Sequence, residues 1–319
     1  MIRTRPGAFR RSPRRGERCR PSRRKPPALG ARLELDTLPA EQVVAALLES
    51  AAQVPVALLA CTDQLTDAAQ LLADRLRAGG RVLFLGAGTS GRLAVGEAAE
   101  LPGTFGLAPD RVLGRCAGDD RPDVVSTGRP ADADEDDGPA GRRAVAAARL
   151  GGADVLVAVA ASGRTPYTVA AAEAARTNSV AVIAVVNAAG SPLAVLADVA
   201  VTVVVGPEVL RGSTRTNAGT AQKVALNTVT TAAAVLLGRV HGDLMVDVVA
   251  ANAKLRERAA GIVAEIAGTD PATATAALDA CGWNARAAVL HLALGLDPTA
   301  ARERAAAHRT LREALIATG

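Results

Sequence analysis

From Arg81 onward, short and wholly apolar runs alternate with stretches whose apolar residues recur at helical spacing. The runs are RVLFLG from Arg81, VLGRCAG from Val112, DVLVAVAAS from Asp154, SVAVIAVVN from Ser179 and VAVTVVVG from Val199. Runs without polar alternation fit strands covered on both faces, and helices between them favour parallel crossovers. The pattern predicts an α/β fold, a five-stranded parallel doubly wound sheet. Upstream, Leu38 to Leu76 reads as two helices interrupted around Pro55. Beyond Gly206 the strands stop; two long helices are predicted, Ala218 to Leu237 and Leu244 to Ile266, followed by short helical pieces from Pro271 onward. Within these, ATAALDACGWNARAAVLHLAL has the look of a small C-terminal helical module. The resulting division is 1–32 tail, 33–76 N-terminal helices, 77–239 sheet domain and 240–319 C-terminal helical region.

Composition narrows this picture. Hydrophobic residues make up 49% of the 319, enough for a large core, while aromatics are only 2%. The core is therefore expected to be Ala, Val and Leu, and a base-stacking platform for nucleic acid is unlikely. The net charge of +5 resides in one place. Residues 1 to 25 hold ten Arg and Lys25 against Glu17 alone, a net +10, which leaves −5 for the rest. Rich in Pro, Gly and Arg without hydrophobic periodicity, the tail reads as a disordered extension rather than a nucleic-acid arm. Cys19, Cys61, Cys116 and Cys281 have no metal or redox spacing, and His241, His291 and His308 belong to no metal-like cluster. Free thiols and no metal site are expected. No apolar run long enough to span a bilayer, and no signal-peptide core, was expected from the pattern, which points to the cytoplasm.

Two loops carry candidate chemistry. The first strand runs into Gly86-Ala87-Gly88-Thr89-Ser90-Gly91-Arg92 and the third into Ala161-Ser162-Gly163-Arg164-Thr165-Pro166. Small residues and hydroxyls at a helix N-terminus make an anion cradle. The glycines also fall at dinucleotide spacing, but no acidic ribose partner follows the second strand. In flavodoxin-like strand order the first and third strands are neighbours, so both loops face one crevice at their carboxyl ends. A phosphate held by Thr89, Ser90, Gly91, Ser162, Gly163 and Thr165 is the expectation, with a pair of structural turns as the alternative.

These loops resemble those of sugar-isomerase domains, whose family binds phosphosugars at the same strand ends. The narrower resemblance rests on GPEVLRGSTRTNAGTAQK, Gly206 to Lys223, which is similar to the signature shared by N-acetylmuramic acid 6-phosphate etherases and the glucokinase regulatory protein. GAGTSGRLAVGEAAELPGTFG, AASGRTPY and LMVDVVAANAKL also resemble the etherases in order and spacing. The resemblance covers about residues 33 to 319. It implies removal of D-lactate from N-acetylmuramic acid 6-phosphate by elimination and hydration, no cofactor, and a homodimer.

By that resemblance Glu100 is the general acid, which afterwards activates water; on the residues alone it reads as a solvated glutamate on a helix end. Counting back from Ser162 without gaps, Glu135 falls on the family's second glutamate and is the base for the carbon 2 proton, with Asp134 as fallback; the alternative is a charged loop. Ser213, Thr214 and Arg215 are expected to help close the sugar site, or else to cap the following helix. Thr216-Asn217 stands where the family has Met-Lys. A non-catalytic phosphosugar-binding regulator and a phosphosugar isomerase remain the other readings.

Overall fold

The computed structural model describes residues 34–118 and 134–317. The basic tail and Cys19 lie outside the described residues, as does the acidic stretch from 119 to 133. Three helices open the chain: α1 (Ala40–Ala51), α2 (Gln53–Leu59) and α3 (Thr62–Arg77). The sequence reading had two helices broken at Pro55. The breaks instead fall at Ala52 and at Ala60–Cys61, and Pro55 sits in the first turn of α2, where no intrahelical N–H is required of it.

By length and composition alone, Ala40–Leu59 is apolar enough to cross a membrane, which corrects the expectation that no such run exists. In the fold it is divided between α1 and α2. Val54 and Leu58 turn into the core, while Val44, Leu48, Val56 and Leu59 remain exposed.

Five strands follow with their crossover helices: β1 (Val82–Gly86), α4 (Gly88–Phe105), β2 (Val112–Cys116), α5 (Gly138–Ala148), β3 (Val155–Ala160), α6 (Pro166–Thr177), β4 (Ala181–Val186), α7 (Pro192–Leu196) and β5 (Val199–Thr202). All pair in parallel, in the order β2-β1-β3-β4-β5. Side chains alternate between two covered faces, as strand geometry requires. Val82, Phe84, Val155, Val157 and Ile183 face the layer of α3, α4 and α8 (Asn217–Leu236). Leu83, Leu85, Leu156, Val182 and Val186 face α5, α6 and α7. With both faces dry, the runs have no polar alternation to show. Burying each such Val or Leu contributes about 1.5–3 kcal/mol.

At the amino ends of the strands, Asp154 accepts from the Arg81 amide at 2.7 Å, from the Arg81 guanidinium at 2.8 Å and from the Gly151 amide at 2.9 Å. Burial would raise this carboxyl, but the Arg81 and Gly151 hydrogen bonds outweigh it and hold it below its ordinary value. Cys61, Cys116 and Cys281 are buried.

The strands do not end at Gly206. Val240–His241 (β6) and Leu244–Met245 (β7) form an antiparallel hairpin, and the helix expected from Leu244 begins only at Ala253. The reason lies in two residue types. Val246 and Val248 are buried in the second core from the turn and irregular backbone that follow β7, and Asn252 caps α9 (Ala253–Ala267) by accepting from the Leu255 amide. Helices α10 (Pro271–Ala280), α11 (Ala285–Leu294), α12 (Pro298–Ala307) and α13 (Leu311–Ile316) complete a second core with α9. Their caps, Asp270, Asn284, Asp297 and Thr310, all accept from first-turn amides. Trp283, at φ 61°, lies 4.8 Å beneath the Arg256 guanidinium in this module.

Candidate active site

Because β1 and β3 are direct neighbours, with Gly86 beside Val159, the two hydroxyl-rich loops leave adjacent strand ends. Loop one turns into α4 at very close quarters. A Cβ on Gly91 would come within 2.6 Å of the Gly86 carbonyl oxygen and 2.5 Å of Cys116 Sγ, so only glycine lets the helix start this near the sheet. In loop two, Gly163 has φ +61°, and a Cβ there would stand 2.1 Å from Ser191 Oγ. The Gly163→Ala protein is therefore expected to lose about 2 kcal/mol or more through left-handed strain and overpacking. Thermal melting with and without phosphosugar measures this, and an unchanged Tm in both would show that the turn tolerates a side chain.

The expected phosphate ligands are placed unequally. Ser162 is exposed, with Oγ accepting from the Arg164 amide at 3.2 Å, and Thr165 is half-buried at the N-terminus of α6 without using its hydroxyl as a cap. Thr89 is half-buried beside the first turn of α8, where Gly219 faces its methyl group. Ser90 is buried, and its hydroxyl donates to Gln222 Oε1 at 2.9 Å. Gln222 Nε2 donates to Asn187 Oδ1 at 3.0 Å, and Asn187 Nδ2 to the Val203 carbonyl at 2.9 Å. This chain of bonds, buried at Ser90 and Gln222 and half-buried at Asn187, ties loop one, α8 and the ends of β4 and β5 together. Gln222 and Asn187 were not singled out from the sequence, although each interrupts an otherwise small or apolar run at a strand end or helix start.

Ser213, Thr214 and Arg215 precede α8, with Thr214 and Arg215 exposed. The cap of α8 comes instead from Glu208, whose carboxylate accepts from the amides of Asn217 at 3.1 Å and Ala218 at 2.9 Å and from the Thr216 hydroxyl. A carboxylate at a helix N-terminus is favoured by both hydrogen bonding and the helix dipole. Asn217, at the position of the family lysine, is buried and donates to Ser50 Oγ at 2.6 Å, which fastens α8 to α1.

The two glutamates are treated differently. Glu135 is half-buried, and its carbonyl accepts from the Tyr167 amide at 3.0 Å, so its backbone is pinned to the start of α6, beside loop two. Glu100 lies twelve residues along α4 from Gly88, about 18 Å at helical rise. Its side chain is 65% exposed and pairs with Lys223 Nζ at 3.7 Å. An anion at the α4 N-terminus would lie at the opposite end of the helix from Phe105, on the side away from Glu100. Six bonds separate the phosphorus of a hexose 6-phosphate from its carbon 3 oxygen, a reach of about 8 Å. Within one chain, therefore, the loops and Glu135 come together and Glu100 does not.

The sheet order defines a doubly wound parallel α/β domain, and residues 49–187 match the family model of the SIS domain. The chain is 43% identical over 271 residues to the N-acetylmuramic acid 6-phosphate etherase of Deinococcus radiodurans, covering 85% of this chain and 88% of that one. It is 44% identical to the enzyme of the same name from Symbiobacterium thermophilum, over 83% of this chain and 86% of that one. With the Rubrobacter xylanophilus etherase the identity is 42%, over 86% and 90%. A phosphoheptose isomerase from Francisella tularensis superimposes with a TM-score of 0.47 at 19% identity, over 62% of this chain and 100% of that one. The chain belongs to the N-acetylmuramic acid 6-phosphate etherase family.

Proposed function

We propose that the protein cleaves the lactyl ether of N-acetylmuramic acid 6-phosphate, giving N-acetylglucosamine 6-phosphate and D-lactate. The observation that carries this is family membership over more than four-fifths of the chain, together with paired hydroxyl-rich loops on neighbouring strands. The loops hold the 6-phosphate through the hydroxyls of Thr89, Ser162 and Thr165, with Ser90 and Gly91 supporting the turn. In the open-chain aldehyde the carbonyl acidifies the hydrogen on carbon 2. Glu135 removes that proton, the carbon 3–oxygen bond breaks, and Glu100 delivers a proton to the departing lactyl oxygen. Glu100, now a carboxylate, takes a proton from water as its oxygen adds to carbon 3. Glu135 returns its proton to carbon 2, and the net change is consumption of one water.

Since Glu100 is out of reach of its own loops, the reaction requires a second copy of the chain to bring it. A homodimer meets this need, and the exposed Val44, Leu48, Val56 and Leu59 on α1 and α2 offer it apolar surface. The cytoplasm, where the amino-sugar product enters metabolism, is the matching compartment. The test is D-lactate release from N-acetylmuramic acid 6-phosphate by the purified protein. Folded protein that binds the phosphosugar and releases nothing would refute the assignment and leave a regulator.

A further inference from the structure

The chemistry above uses Glu100 and leaves a buried charge beside it without a role. Glu97 lies three residues earlier on α4, so both side chains leave the same face of the helix. It is 3% exposed. One carboxylate oxygen accepts from the Thr230 hydroxyl at 2.6 Å and the other meets Lys223 Nζ at 2.9 Å. That ammonium also stands 3.7 Å from Glu100. Burial would push Lys223 down, but the hydrogen bond and charge of Glu97, followed by the charge of Glu100, outweigh it and hold the ammonium above the usual lysine value. Lys223 is accordingly charged at neutral pH.

An ion pair with one partner buried, Glu97, and the other, Lys223, 35% exposed contributes little to stability, because its attraction is offset by the desolvation of the carboxylate. What this one does provide is a cation at a fixed point. Thr230 orients Glu97, Glu97 holds Lys223, and Lys223 faces the exposed end of Glu100. A glutamate that is 65% exposed on a helix surface is otherwise free to exchange rotamers.

We propose that Lys223 is a positioning residue that holds the Glu100 carboxyl in the one orientation from which it reaches the lactyl oxygen, with Glu97 and Thr230 as the mount for the lysine. This rests on Glu100 being the acid. A displacement of the acid by about 1 Å is enough to cost on the order of 10²-fold in rate.

The experiment compares Lys223→Ala, Lys223→Arg and Glu100→Ala for D-lactate release, with kcat and KM determined separately. Lys223→Ala is expected to lower kcat by about 10²-fold and to leave KM within about twofold, because the phosphate loops are untouched. Lys223→Arg, and methylammonium added to Lys223→Ala, are expected to restore part of the rate. In a Glu100→Ala background, Lys223→Ala is expected to cost nothing further, as required of residues that act through one another. Should Lys223→Ala fail to fold around its unpaired Glu97, the double variant Lys223→Met, Glu97→Gln removes the buried charge and carries the same expected loss. Unchanged kcat in the lysine variants while Glu100→Ala is inactive overturns the proposal alone. So does an equal further loss in the Glu100→Ala background. Undiminished release by Glu100→Ala overturns both the proposal and the acid assignment beneath it.

Discussion

The Glu135→Ala protein is expected to lose D-lactate release and solvent exchange at carbon 2 together, each by about 10²- to 10⁴-fold, the range of one general base. Glu100→Ala is expected to lose release while still exchanging the carbon 2 hydrogen in deuterium oxide. The difference follows from the order of bonds. Removing the carbon 2 proton needs only the base, and its return from a solvent-exchanged carboxyl needs only the same group; the acid is required when the carbon 3–oxygen bond breaks. Glu135 is suited to the first role because its backbone is fastened to the Tyr167 amide at the start of α6, beside loop two, where the sugar phosphate is proposed to bind. Exchange retained in Glu135→Ala would move the base elsewhere, first to neighbouring Asp134.

Mixing the two inactive proteins is expected to recover activity. If the acid of each site comes from the second copy, a dimer of one Glu100→Ala chain and one Glu135→Ala chain contains one site with both carboxylates intact and one with neither. Random pairing makes half of the dimers mixed, so about a quarter of wild-type activity is expected after co-expression or subunit exchange, as the two-fold symmetry of such a pair dictates. An acid acting within its own chain gives no recovery at all. The expectation stems from a length: about 18 Å of helix rise separates Glu100 from Gly88 at the start of α4.

Much of the sheet domain could be read from the residues, and for a physical reason. Strands buried on both faces must be apolar throughout, so β1, β3 and β4 announce themselves as runs, and Gly, Ser or Asn at their ends marks the turns into helices. The loops were equally legible as glycine-rich turns between strand and helix, although the contacts with Cys116 and Ser191 that demand Gly91 and Gly163 are made by residues distant in the chain. What escaped was set by distant partners. The helix expected from Leu244 failed because the chain turns after β7 and runs irregularly to Asn252, whose cap marks the true start. Glu208 as the cap of α8, and the chain from Ser90 through Gln222 to Asn187, depend on residues 9 to 132 positions apart meeting in space. The separation of Glu100 from the loops could in principle have been counted along α4, since the helix and its twelve-residue interval were both visible in the sequence.

The scarcity of aromatic rings gives the molecule an optical division of labour. Its single Trp, Trp283, is held beneath Arg256 in the C-terminal module, and its single Tyr, Tyr167, is the residue whose amide binds Glu135. Emission excited at the red edge of the absorption band thus reports on the C-terminal helices alone. Tyrosine signal, by contrast, comes only from the start of α6, where Tyr167 is buried in the core of the sheet domain. Unfolding of the module and of the sheet domain can be followed in the same cuvette, without any label.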